Sequence, residues 1–195
     1  WDQWQVYNGH KALFFPTPAS TQAQTSANAG VPQATAGATA DASAVAGGPT
    51  GSAPTERFEV RSDVLALSLD SEGGAIVRTE FLKHADVAHP GHNVVLLNDG
   101  KDREYMAQTG LVGGAWPTHK TPMTFSGSKE LAAGQNEVVA RLESQAVGGV
   151  KLIKTYTLKR GEYAVRIQHE IKNVGTEAVS PQLYLQLMRH GEKPE

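Results

Sequence analysis

The chain has 195 residues, 18 Lys and Arg against 20 Asp and Glu, and no cysteine. Charges balance at 17 of each sign from Arg57 onward, which implies neither a basic face for nucleic acid nor an acidic face for cations. The lack of thiols excludes a disulfide framework, thiolate zinc sites and iron–sulfur ligation, and fits an oxidising compartment.

The first sixteen residues, WDQWQVYNGHKALFFP, crowd together Trp1, Trp4, Tyr7, Phe14 and Phe15. Aromatic rings with one wet and one apolar end collect at the edge of a membrane span. Residues 1–16 are therefore expected to be a membrane-exit segment, with those five side chains at the interface and the bilayer adjacent to residue 1. No run of about 18 apolar residues occurs in the chain itself. Residues 17–56 are almost entirely Ala, Thr, Ser, Gly, Gln and Pro. Such a stretch cannot bury enough apolar area to offset a backbone ordering cost of roughly 1–2 kcal/mol per residue. It is expected to be a disordered linker with ends on the order of 35 Å apart. Lys11 is the only Lys or Arg before Arg57, and cytoplasmic flanks are usually rich in both, so the outer side of the membrane is expected.

From Arg57 the pattern turns to period two, the mark of half-buried strands. In VLALSLD, Leu65, Leu67 and Leu69 point one way and Ala66, Ser68 and Asp70 the other. Ser71, Glu72, Gly73 and Gly74 supply turn residues and Ala75–Leu82 resumes as a strand, so this stretch predicts a hairpin. Further strands are expected at Asn93–Leu97 and Tyr105–Val112, before a loop with Gly113, Gly114 and Pro117. Val150–Leu158 is expected to pair, across a Lys159–Glu162 turn, with a strand whose inner face is Tyr163, Val165, Ile167, His169 and Ile171. Ala178–Met188 reads as the next antiparallel strand. No stretch reads as a helix of three turns. Residues 57–195 are thus expected to form an all-β antiparallel sandwich.

Candidate chemistry is sparse. His84, His89 and His92 have a spacing that invites a metal, but Pro90 and Gly91 place them in a loop without an obvious carboxylate ligand, so ordinary loop histidines are expected. His169 is expected as a hydrogen-bonded core histidine. Arg189, His190 and Glu192 have acid–base character with no visible partner. Asp99, Asp102 and Glu104 alternate with Lys101 and Arg103, which reads as a solvated loop. No nucleophile elbow, P-loop, dinucleotide-binding glycine pattern or H-E-x-x-H occurs, so neither enzymatic activity nor a cofactor is expected. Trp116 and Tyr105 leave one alternative, a secreted or periplasmic carbohydrate-binding sandwich.

The segments together resemble the YidC family of membrane-protein insertases. The resemblance rests on W-D-Q-W at Trp1–Trp4, the linker, S-D-V-L-A-L-S-L from Ser62 with Gly73 and Gly74, Y-M-A-Q-T-G-L from Tyr105, L-A-A-G-Q-N-E from Leu131, and L-K-R-G-E-Y-A-V from Leu158. It implies the end of a first transmembrane helix, the linker, and the N-terminal part of a periplasmic β-supersandwich akin to mutarotase-like folds. The implied partners are nascent membrane proteins and components of the Sec translocon, met through an inner-membrane insertase, with this segment on the periplasmic side as scaffold and contact domain. The family's insertion groove lies in later transmembrane helices, so the resemblance assigns no catalytic or groove residue to this chain. A truncated sandwich is expected to leave strand edges without partners and to aggregate.

Overall fold

In the computed structural model the described residues are Val31, Pro32, 55–100 and 104–190. The five aromatic residues of the expected membrane-exit segment, Trp1, Trp4, Tyr7, Phe14 and Phe15, lie outside them, as does nearly all of the linker expected over 17–56. The described residues contain strands and turns and no helix. The strands are β1 (Arg57–Arg61), β2 (Leu65–Asp70), β3 (Ile76–Ala85), β4 (Asn93–Asp99), β5 (Glu104–Val112), β6 (Met123–Gly127), β7 (Glu137–Ser144), β8 (Val150–Lys159), β9 (Val165–Asn173) and β10 (Gln182–His190). They form a six-stranded sheet in the order β1-β2-β3-β4-β5-β10 and a four-stranded sheet in the order β6-β7-β8-β9, with every ladder antiparallel.

The alternation of each strand explains the layer between the sheets. Leu65, Leu67 and Leu69 of β2 are fully buried, as are Leu142 of β7 and Leu152 and Leu158 of β8. With Phe58, Val60, Ile76, Leu111, Met123, Val138, Ala140 and Tyr156 they make one continuous core. Strands with β-branched and large apolar residues at every second position fit a pleated surface that is wet on one side. The expected hairpin is β2–β3, with a register shift between Ser68 and Leu69. Its turn needs glycine: Gly73 and Gly74 have φ of 66° and 63°, and a Cβ on Gly73 would sit 2.0 Å from the His119 carbonyl oxygen.

One long edge of the sandwich is stitched shut. Arg61 N–H donates to Lys129 O at 2.7 Å, and Leu131 N–H donates to Arg61 O at 3.0 Å. Phe58 and Phe125 stack at 4.5 Å between ring centres, and the Lys129 ammonium lies 5.5 and 5.6 Å from those two rings, a cation–π geometry.

The opposite edge departs from expectation. β9 has the expected alternation, but Val165, Ile167 and His169 are only half-buried and Ile171 is exposed. The reason is position: β9 is the outermost strand of the smaller sheet. Tyr163 precedes the strand, and its ring packs on Phe81 at 5.6 Å and His84 at 5.1 Å. The strand expected next after β9 crosses to the other sheet and pairs with β5 instead, from Gln182↔Val112 to His190↔Glu104. β6 and β7 carry no expectation from the sequence reading and fill half of the second sheet.

Candidate functional site

The most constrained polar groups lie where the β2–β3 turn enters the space between the sheets. On β8 the residues Val150, Leu152, Lys154, Tyr156 and Leu158 share the inner face, and none is more than 2% exposed. Lys154 Nζ donates to Gly73 O at 2.5 Å and to Thr109 O at 2.7 Å, while the Tyr156 hydroxyl donates to Gly74 O. Two consecutive turn carbonyls, unable to reach water, are thus satisfied by two side chains spaced one strand repeat apart. Burial pushes the Lys154 ammonium down to about 7 and the Tyr156 phenol upward, because both charged forms lose hydration.

Two histidines border this seam. His169, cross-strand neighbour of Lys154, joins its Nε2 to Thr109 Oγ1 at 2.8 Å, which agrees with a hydrogen-bonded histidine. His119 lies in the β5–β6 loop. Its backbone N–H donates to Tyr184 Oη at 3.1 Å, and its Nδ1 lies 2.5 Å from the same oxygen. Desolvation, and after it the positive charge of Lys154, lowers the pKa of His169; His119 is lowered by desolvation, then by Lys120 and Lys154.

A second candidate is a shallow cleft of about 550 Å³ on the outer face of the six-stranded sheet, lined by residues that include Arg78, Glu80, His89, His92 and Tyr105. Its charged groups already hold one another. Arg78 bonds to Glu80 at 3.1 Å, Asn93 bonds to Glu80 at 2.9 Å, and His89 pairs with Asp86 at 2.8 Å. His84 is not among its lining residues and packs on Tyr163, so the three loop histidines do not converge. Among the described residues no group of three or more His, Cys, Asp or Glu is placed to hold a metal. Trp116 does not line the cleft with Tyr105; it packs against the core.

Of the acidic loop, Asp99 pairs with Arg57 and Glu104 is half-buried at the start of β5, whereas Asp102, Lys101 and Arg103 lie outside the described residues. Arg189 is exposed near the end of β10; the His190 side chain and Glu192 are likewise outside the described residues.

The third feature is apolar. Leu183, Leu185 and Leu187 are register partners of Leu111, Thr109 and Ala107, so they point to the core side of their sheet. They are nevertheless 48%, 67% and 58% exposed, because the four-stranded sheet does not extend over β10.

Fold and site define an antiparallel two-sheet sandwich whose buried polar side chains hold backbone, and whose uncovered surface is an apolar strand face. The family model of the YidC periplasmic domain matches residues 57–195. Similar chains include the membrane protein insertase YidC of Janthinobacterium sp. (strain Marseille), 37% identical over 207 residues, covering 99% of this chain and 36% of that protein. That of Cupriavidus metallidurans is 38% identical over 204 residues, covering 100% of this chain and 36% of the relative. That of Bordetella avium is 39% identical over 207 residues, covering 100% and 37%. The chain belongs to the YidC family, and residues 57–195 to its periplasmic domain. It spans little more than a third of the length of the curated relatives it matches.

The seam was not legible in advance. Its signals are His169, expected as a hydrogen-bonded histidine, and Lys154 at an inner-face position between Leu152 and Tyr156, where period two demands an apolar residue.

Proposed function

We propose that the chain is the periplasmic portion of an inner-membrane protein insertase, acting as scaffold and contact domain for the insertion and folding of nascent membrane proteins, alone or with the Sec translocon. What carries this reading is the match of residues 57–195 to the YidC periplasmic domain, together with relatives named membrane protein insertase that align along the whole chain. No helix among the described residues is long and apolar enough to cross a membrane. In this reading the domain is held at the periplasmic surface by residues 1–16, with Trp1, Trp4, Tyr7, Phe14 and Phe15 at the interface, and by the 17–56 linker. Its own role is contact rather than bond chemistry. The polar side chains of the seam support that role, since they are engaged with backbone carbonyls instead of facing a cleft. No observation favours the carbohydrate-binding alternative.

The test is site-specific photocrosslinking in membranes, with probes at Leu185 and Val174, which are 67% and 54% exposed, in the full-length protein during synthesis of a membrane-protein substrate. Adducts with the nascent chain or with translocon subunits are expected. A clean absence of adducts, with insertion unchanged after removal of residues 57–190, overturns the contact role.

A further inference from the structure

Lys154, His169 and His119 come from three elements, β8, β9 and the β5–β6 loop, and meet around Gly73 and Thr109. Each ties one element to another: Lys154 holds the β2–β3 turn and β5, His169 holds β9 to Thr109, and His119 holds β10 through Tyr184. All three can gain a positive charge, and among the described residues none is paired with a carboxylate. From β7 the cross-strand neighbour of Lys154 is Leu142. From β8 itself the nearby titratable group is Tyr156, a donor to Gly74 O. Of the turn carboxylates, Asp70 lies 3.9 Å from Arg57 and Glu72 is exposed. Lys120, next to His119, adds a further positive charge.

The hydrogen-bond count agrees with an uncharged seam. A neutral amine has two N–H groups, and Lys154 has two carbonyl acceptors, whereas an ammonium brings a third proton. When Tyr184 Oη accepts from the His119 backbone N–H and donates to Nδ1, the imidazole is neutral; a proton on Nδ1 displaces the hydroxyl proton.

We propose that this seam is an acid-sensitive latch: proton uptake by Lys154, His169 and His119 loads like charges into an interior without counter-ions, and releases the β2–β3 turn, β9 and β10 from the core. The protons come from solvent, and no covalent bond changes. The stitched edge at Arg61 and Lys129 contains none of the three groups. The lowered pKa of all three groups has the same sense, since opening restores their hydration and with it their affinity for protons.

The test is hydrogen–deuterium exchange on the full chain at pH 9 and pH 5.5, corrected for intrinsic exchange rates, alongside NMR titration of the Lys154 side chain and the two imidazoles. Protection of residues 73–75, 165–171 and 182–188 is expected to fall at least tenfold at pH 5.5. In Lys154→Met with His169→Gln, which removes two of the titrating groups, the pH dependence of the same segments is expected to shrink by at least threefold. Equal protection at the two pH values overturns the latch. So does a Lys154 signal that does not titrate in this range, a measurement that needs no variant to fold. An unchanged pH dependence in a folded double variant overturns it as well.

Discussion

Lys154 on β8 and Gly73 in the β2–β3 turn, 81 residues apart in sequence, meet at 2.5 Å between Nζ and the carbonyl oxygen. The contact joins the two sheets through a cation-forming group that has no carboxylate partner among the described residues. A group so placed makes stability depend on pH in a direction that can be worked out.

The folded-state pKa of Lys154 is about 7, against 10.5 for an exposed lysine. Between those values the unfolded chain holds the proton and the folded chain does not, so stability rises with pH across that window and its cost is constant below it. The expected gain is on the order of a few kcal/mol. Tyr156, raised by burial, acts oppositely above pH 10, where the unfolded phenol ionises first. Urea denaturation at half-unit pH steps should show a maximum near the top of the Lys154 window. Lys154→Met should flatten the rise.

Gly73→Ala is expected to destabilise the domain by about 3 kcal/mol or more, since positive φ and a backbone clash act together. The added Cβ would meet the His119 carbonyl oxygen at 2.0 Å, whereas at Gly161 (φ 72°) no atom lies within 4 Å. Gly161→Ala, strained in backbone alone, should cost about 1 kcal/mol. Paired denaturation curves of the two variants separate strain from clash.

Leu142 and Leu185 test the two sides of the sandwich. Leu142 is fully buried and Leu185 is 67% exposed. Leu142→Ala should lower stability by about 2–5 kcal/mol, and Leu185→Ala by less than about 0.5 kcal/mol. Replacing Leu183, Leu185 and Leu187 together by Thr should reduce self-association of the chain in sedimentation velocity, because an exposed apolar edge strand is a template for pairing.

Tyr156→Phe leaves the Gly74 carbonyl buried without its side-chain donor, at an expected cost of about 1–3 kcal/mol. Thermal melts against the parent chain measure it.

Strands whose inner residues are large and whose turns are rich in glycine were readable: β2 with β3 across Gly73 and Gly74, and β8 across its turn to β9. β7 escaped notice although Val138, Ala140 and Leu142 alternate inward, because a small alanine and the outward Val139 blur the period. β6, five residues long, is too short to show one. The strand expected over Ala178–Met188 is present as β10 and antiparallel, but its partner, β5, has no signal in the sequence. A strand following a turn looks like the other arm of a hairpin, but choice of partner depends on contacts remote in sequence, here with β5. At the seam, Lys154 could be assigned to the inner face by counting. That Gly73 and Thr109 carbonyls receive it is a matter of tertiary placement.

β1 and β10 are the two outermost strands of one sheet; β1 is tied to the β6–β7 loop through Arg61, and β10 to the β5–β6 loop through Tyr184. A pull that separates these two strands therefore loads the ladders sideways, rung by rung. Tyr184 with its histidine is the fastening such a load reaches at one margin, and the Phe58–Phe125 stack the one it reaches at the other.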